Sequence, residues 1–298
     1  MSRATLCVLL SLAGLSGCRQ NADLDAVRAM SQSAAAAQAS FDNVAQDFHD
    51  TCVRKLRWKY MTATAKSTIG DLSGIDEHSY QTQRCDDPVT TVAVTRWKAF
   101  NRLYLGYFIA LGNIAGSKSD ANAYGIQDFA KVLIASKQYG NKESITESAG
   151  LLNGAIDELF SARKRNAISN FAGTQGAKFV ETASAGLVNA SKDLDQSLGY
   201  EEDAINDFYV ENFKHARGGT DMLSALRYRQ DWAADLKTLQ DRRDAIASYQ
   251  RAIGDLQKAH GALVDSIKND KPQAVASIVQ LYISELQPLV DKMNAAFH

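Results

Sequence analysis

Four side chains able to hold a divalent cation recur every four residues in the second half of the chain. They are Asp203, Asp207, Glu211 and His215. On an α-helix this spacing places three carboxylates and an imidazole along one slowly rotating stripe. Carboxylate oxygens are ligands for hard divalent cations, so the stripe is a candidate metal site. The alternative is a solvated acidic helix face, because the chain has no Glu-x-x-His pairs of the kind that a ferritin-like centre needs on other helices.

A second candidate ligand set lies nearer the N-terminus and consists of His49, Cys52, His78 and Cys85. Thiolates and imidazoles bind zinc, and His49 and Cys52 are three residues apart on an expected helix. The spacing His-x2-Cys followed by His-x6-Cys is not that of a common zinc ribbon. The two cysteines can also form a disulfide or remain free thiols, and the choice depends on the compartment.

The motifs of common catalytic sites are missing from the sequence. There is no G-x-S-x-G nucleophile elbow and no H-E-x-x-H pair. The run Gly173-Thr174-Gln175-Gly176 is too short for a phosphate-binding loop and lacks the Gly-Lys-Ser/Thr that such loops carry. The sequence therefore favours a protein that is not an enzyme, and it indicates no cofactor.

The N-terminus has the parts of a targeting signal. Arg3 precedes an apolar stretch over residues 6–15, and two small residues follow before Cys18. About ten apolar residues are too few to cross a bilayer, which needs about 20. The run Leu15-Ser16-Gly17-Cys18 resembles the lipobox of bacterial lipoproteins. An ordinary secretory signal is the alternative, but it leaves the cysteine directly after Ser-Gly unexplained.

The resemblance implies that residues 1–17 are removed and that Cys18 is acylated and becomes the first residue of the mature protein. Two or three acyl chains would anchor the protein stably to a membrane. Arg19 stands where an aspartate would favour the inner membrane, so we expect an outer-membrane anchor facing the periplasm. A net charge of −1 gives no electrostatic reason for nucleic acid to be a partner.

The lipoprotein resemblance also bears on the cysteines. Cys7 would leave with the signal and Cys18 would carry the lipid, so Cys52 and Cys85 would remain in an oxidising compartment. This favours a disulfide between them, with a metal site or free thiols as alternatives. Closing a loop of this length would stabilise the fold by about 4 kcal/mol in the chain-entropy model.

Composition and periodicity predict an all-α fold. Only 3 prolines occur in 298 residues, and no useful stretch alternates like a strand. We expect an elongated bundle of about six long antiparallel helices. The expected domains are a signal peptide (1–17), a tether (18–40) whose Ala/Gln/Ser run has little to bury, and a helical bundle (41–298).

Helix boundaries are indicated by caps, glycines and prolines. Helical segments are expected over residues 41–69, 88–115, 120–139 and 144–217, followed by a break at 217–220. Beyond it, apolar residues step by three and four from Ile246 to Ile267, and again after Pro272, which predicts a coiled-coil-like antiparallel hairpin with a kink at Pro288. His260 lies in the first of these seams, where a buried neutral imidazole would lower stability in acid.

Together these features favour a lipid-anchored envelope protein that binds another protein through a helical surface. Two roles fit: an immunity-type inhibitor of a delivered toxin, or a scaffold of an envelope machine. The alternative is a periplasmic module that binds a ligand or divalent metal. It would use the acidic stripe 203–215 or the segment with His49, Cys52, His78 and Cys85.

Overall fold

The computed structural model describes residues 3–66, 84–116, 168, 172–217, 222–269 and 272–297, and side chains from Leu24 onward except beside some gaps. These residues form five helices: α1 (Arg3–Lys66), α2 (Pro88–Gly116), α3 (Thr174–Arg217), α4 (Met222–Asn269) and α5 (Pro272–Phe297). The described ranges contain no strand, which confirms the all-α prediction. The helix expected over 120–139 lies outside them, and the six-helix antiparallel bundle stays a prediction.

Helix α2 begins where the sequence predicts. The Asp87 carboxylate Oδ1 accepts hydrogen bonds from the backbone N–H groups of Val89 at 2.7 Å and Thr90 at 3.0 Å. These amides have no partner inside the helix, so the side chain satisfies them as an N-cap. Pro88 occupies the first helical position, where its missing N–H costs nothing.

The chain divides into two compact units, and each of the five helices contributes residues to both. Unit 1 comprises Met1–Ala39, Ala99–Leu187 and Arg251–Leu289. Unit 2 comprises Ser40–Lys98, Val188–Gln250 and Val290–His298.

Unit 1 has an aromatic interior crossed by neutral hydrogen bonds. The Tyr104 hydroxyl donates to the carbonyl of Ile253 at 3.0 Å and accepts from the Ser184 hydroxyl at 3.1 Å. The Tyr107 hydroxyl lies 2.7 Å from His260 Nε2. Both tyrosines are fully buried, so each must pair its hydroxyl inside the protein to avoid a desolvation penalty.

Part of the expected tether is instead a packed segment of α1. Ala26, Met30 and Ala34 are each at most 2% exposed. Close contact with α2 explains this: a Cβ added to Gly112 would lie 2.0 Å from Ser31 Cβ. Small residues in this stretch therefore serve close helix packing within unit 1 and do not form a flexible spacer.

The predicted heptad positions in α4 are buried wherever their side chains are described. They are Ile246, Tyr249, Ile253, Leu256, His260 and Leu263. Helices α4 and α5 meet in unit 1, where Lys258 Nζ lies 5.6 Å from the centre of the Tyr282 ring. The α5 helix continues through Pro288. A coiled-coil geometry for this pair stays a prediction.

Unit 2 contains its own aromatic group. The Phe41 and Tyr249 ring centres lie 4.6 Å apart, and Trp97 Nε1 donates to the Tyr249 hydroxyl at 2.9 Å. These residues come from α1, α4 and α2 in turn. Their packing brings three helices of unit 2 together around one polar pair.

Candidate functional site

An aromatic cluster in unit 2 packs the last part of α3 against the first part of α4. The cluster joins α1, α3 and α4 and consists of Trp58, Phe208, Tyr209, Phe213, Tyr228 and Trp232. Tyr209 and Trp232 are stacked at 5.9 Å, and Trp58 lies 5.2 Å from Phe208. Aromatic side chains bury large areas, so this cluster holds the first half of α4 in place.

Two hydrogen bonds fix the same helices against each other. The Tyr209 hydroxyl donates to Asp235 Oδ2 at 2.5 Å, and Trp232 Nε1 donates to Asn206 Oδ1 at 2.9 Å. Burial, together with the neighbouring Asp235 carboxylate, raises the pKa of Tyr209 well above its ordinary value. The phenol therefore stays protonated and remains a donor at physiological pH.

A mostly buried group of four charges lies on the same three helices. We call it the ion cluster: Asp47, Arg54, Glu201 and Arg242. Arg54 contacts Asp47 and Glu201, each at 2.8 Å, and Arg242 contacts Glu201 at 3.3 Å. The side chain of Glu201 is only 1% exposed, and that of Asp47 is 5% exposed. Two positive and two negative charges balance, as buried ions require.

The pKa values in the ion cluster reflect burial opposed by pairing. Burial raises the pKa of both Glu201 and Asp47, although the nearby guanidinium groups pull it down. Burial by itself would lower the pKa of Arg54, but the carboxylates of Asp47 and Glu201 have the larger combined effect and raise this pKa. Glu201 Oε2 has no hydrogen-bond partner within the described part of the chain. The cluster is thus a tight structural junction that depends on all of its members.

The solvent side of the first half of α4 carries a row of exposed residues that we call the outer seam. It consists of Leu223, Leu226, Gln230, Ala233, Lys237 and Gln240, all exposed. Leu223 is 78% exposed and Leu226 is 51% exposed. The steps of three and four keep the row on one side of the helix, opposite Tyr228, Trp232 and buried Leu239. An exposed row that begins with two leucines, on a helix held by the aromatic cluster, is a candidate binding surface.

The acidic stripe predicted on α3 lies partly within the described side chains. Asp203 and Asp207 are exposed, and Glu211 pairs with Lys214 at 3.2 Å. His215 lies on α3, but its side chain is outside the described residues. Among the side chains that are described, no group of three or more His, Cys, Asp or Glu is placed to hold a metal ion. The four-residue metal site stays a prediction.

The predicted disulfide is present in unit 2. The Sγ atoms of Cys52 and Cys85 lie 2.12 Å apart and their Cα atoms 5.8 Å apart. With both sulfurs bonded, neither is a thiolate ligand in this state. His78, the fourth residue of the predicted ligand set, lies outside the described residues.

His49 makes a second connection beside the disulfide. Its Nε2 lies 2.8 Å from Asp86, and its Nδ1 lies 3.1 Å from Asp50. Burial works to lower the pKa of His49, but hydrogen bonds to these two carboxylates raise it. His49 thus serves as an ion-pair partner that ties the residues before α2 to α1.

The lipobox lies at the edge of the described region. Residues 15–18 fall within α1, but the side chain of Cys18 is not among those described. No described helix has an apolar stretch long enough to cross a membrane. The lipid anchor stays a prediction from the sequence.

The ion cluster, the aromatic cluster and the outer seam were not predicted from the sequence. Arg54 has basic neighbours at positions 55, 57 and 59, and nothing in this local sequence marks it as buried, yet it pairs inside unit 2. The sequence signal of the outer seam was weak, because only three of its six positions, Leu223, Leu226 and Ala233, are apolar. What the sequence lacked was any sign of which rows of α4 the fold would cover.

Comparison of the chain with protein-family models, with curated proteins and with solved structures finds no match. Any assignment of function therefore depends on the residues themselves.

Proposed function

We propose that this chain is a lipid-anchored protein of the bacterial envelope that binds another protein through the outer seam of α4. Within this class it would act as an immunity-type inhibitor of a delivered toxin or as a scaffold of an envelope machine. The observation that carries the proposal is the outer seam. Leu223 and Leu226 are exposed there, and the opposite side of the same helix packs in the aromatic cluster.

The residue types around the seam support protein binding. Alanine scans of interfaces find the largest losses at Trp, Tyr and Arg. Of these residue types the seam offers arginine, because Arg227 and Arg229 lie beside the leucines. Tyr228 and Trp232 lie on the opposite side of α4, where they hold the helix in place. A rigid, pre-organised surface of this kind loses little conformational entropy on binding.

The binding test compares two matched double variants in a capture experiment. Leu223→Glu/Leu226→Glu changes the outer seam. Ile278→Glu/Leu281→Glu changes another exposed apolar pair, which lies three residues apart on α5 in unit 1. Each protein is immobilised and exposed to detergent-solubilised envelopes of the source bacterium, or to the toxin fraction of a competitor.

We expect wild type and the α5 variant to retain the same partner, and the α4 variant to lose it. Retention by all three proteins, or by none, contradicts the proposal. A captured toxin whose activity falls on addition of one equivalent of the chain supports the immunity role. A resident envelope protein supports the scaffold role.

The anchor is tested separately with Cys18→Ala. Wild-type chain should incorporate labelled fatty acid and sediment with membranes, because multiple acyl chains hold it there. The variant should carry no label and remain in the soluble fraction. Labelling that persists in the variant contradicts acylation at Cys18.

A further inference from the structure

We propose that the segment bound by the outer seam is an amphipathic helix whose apolar residues are flanked on both sides by carboxylates. This inference rests on the proposed protein-binding function and names the chemistry of the partner. It follows from the spacing of the seam, from the charges beside it, and from the poor fit of a second copy.

The spacing of the seam is that of a coiled-coil interface. Positions 223, 226, 230, 233, 237 and 240 alternate steps of three and four, as the a and d positions of a heptad do. Leu223, Leu226 and Ala233 are apolar, so the apolar part of the row lies in the first half of it. All six side chains are exposed over this length of α4. A straight row of this kind matches another helix better than a loop or a strand.

The positive charges beside the two leucines favour a partner helix that carries carboxylates. With Leu223 at an a position and Leu226 at d, Arg227 falls at the following e position and Arg229 at g. These two arginines therefore bracket the apolar end of the seam. Within α4, Arg227 Nε lies 4.0 Å from Asp231 Oδ2, which is long for an ion pair. The side chain of Arg227 is 85% exposed. Carboxylates on the incoming helix would meet both arginines.

A second copy of the chain fits the seam less well. Two parallel copies in register would set Arg229 against Ala234 of the other chain and Arg227 against Met222, so neither arginine would gain a carboxylate partner. Two antiparallel copies would set Leu223 and Leu226 against Lys237 and Gln240, so the apolar ends would not meet. Neither arrangement matches both the apolar residues and the charges.

The test uses two synthetic helical peptides as probes. Both carry leucine at a and d over three heptads; one has glutamate at every e and g position and the other has lysine there. Binding to the full chain is measured by fluorescence anisotropy at low salt, with wild type, Arg227→Glu/Arg229→Glu and the matched control Arg251→Glu. Arg251 is another exposed arginine of α4, located in unit 1.

We expect the glutamate peptide to bind wild type and the control about tenfold more tightly than the lysine peptide, because two attractive charge contacts replace two repulsive ones. The double reversal should invert that preference. Equal binding of the two peptides, no binding of either, or a preference unchanged by the double reversal overturns the inference.

Sedimentation of the full chain tests the second copy directly. A concentration-dependent dimer that Leu223→Glu/Leu226→Glu abolishes would assign the seam to self-association and overturn the inference. The proposed function fails separately, through its own capture experiment: a partner lost with the α4 variant supports protein binding whichever peptide the chain prefers.

Discussion

Unit 1 pairs Tyr107 with His260 and Tyr104 with Ser184 through neutral groups. Unit 2, in contrast, brings Glu201 and Arg54 together as ions. Neutral hydrogen bonds need only a partner, but buried ions need balanced charge as well. Unit 2 also holds the disulfide and the outer seam. The unit that the disulfide cross-links is thus the one that carries the candidate binding surface, as expected where the function is to present a rigid helix.

The largest expected effect concerns the disulfide. Cys52→Ala/Cys85→Ala should lower the free energy of unfolding by about 4 kcal/mol, because a loop of 33 residues is no longer closed in the unfolded chain. Hydrogen exchange should place the loss in unit 2, since both cysteines belong to it.

The control for this prediction is a reductant. It should lower the melting temperature of the wild type to that of the variant and leave the variant unchanged. A variant as stable as wild type, or a loss confined to unit 1, would contradict the prediction.

The ion cluster should respond almost as strongly. Glu201→Gln removes the carboxylate that Arg54 and Arg242 share and leaves two mostly buried guanidinium groups facing each other. We expect a loss of about 3 kcal/mol in denaturant unfolding. Glu202→Gln is the matched control: its side chain is 35% exposed and pairs with Arg243, so its loss should stay below about 1 kcal/mol. Equal losses in the two variants would show that burial of the cluster does not matter.

Close packing in unit 1 should be sensitive to a single methyl group. Gly112→Ala places a Cβ 2.0 Å from Ser31 Cβ, so the helices must separate at a cost of about 2 kcal/mol. Combining it with Ser31→Gly should restore most of that loss. Gly261→Ala is the control on α4, where a Cβ meets nothing within 4 Å, and helix propensity predicts a gain of about 0.5–1 kcal/mol. Thermal melts of the four proteins check the set.

Acid should distinguish the two units. Burial lowers the pKa of His260 from its ordinary 6.5 to about 3, so the folded imidazole stays neutral while the unfolded one takes up a proton. The native state is therefore penalised progressively as the pH falls from 6.5 towards 3, by about 2 kcal/mol between pH 7 and pH 5. Glu201 in unit 2 has the opposite sign, because its raised pKa favours protonation of the folded state first.

Hydrogen exchange resolved by unit at pH 7 and pH 5 checks this difference. Protection factors in unit 1 of the wild type, which correct for the slower intrinsic exchange at lower pH, should fall at pH 5, and His260→Gln should remove most of that fall. A pH dependence that the variant leaves unchanged would exclude His260 as its source.

Much of the fold could be predicted from local patterns. The start of α2 follows from Asp87 and Pro88, and the buried row of α4 follows from its spacing, because caps and periodicity act over a few residues. The disulfide followed from the cysteine count once the lipobox resemblance removed Cys7 and Cys18 from consideration. The expected tether differs from the structure because alanines such as Ala34 looked unable to fill a core, whereas Gly112 allows α2 to approach them closely.

The candidate site was much less predictable. Glu201 and Arg54 are 147 residues apart in sequence, and nothing local marks them as partners. The contact between Trp58 and Phe208 was equally unpredictable, because the sequence around an aromatic residue does not show which distant residue it will contact. Long-range pairing depends on which helices the fold brings together.

The sequence alone determined the helical class, the caps and the buried row of α4, because backbone hydrogen bonding and hydrophobic periodicity act locally. It also carries the lipobox-like run, a linear signal that needs no fold. Only the tertiary structure decided that one face of residues 26–37 is buried, that Asp47, Arg54, Glu201 and Arg242 form one cluster, and that the row beginning at Leu223 remains exposed. The physical reason is that the burial of a side chain depends on the residues packed around it, and here many of those residues are distant in sequence.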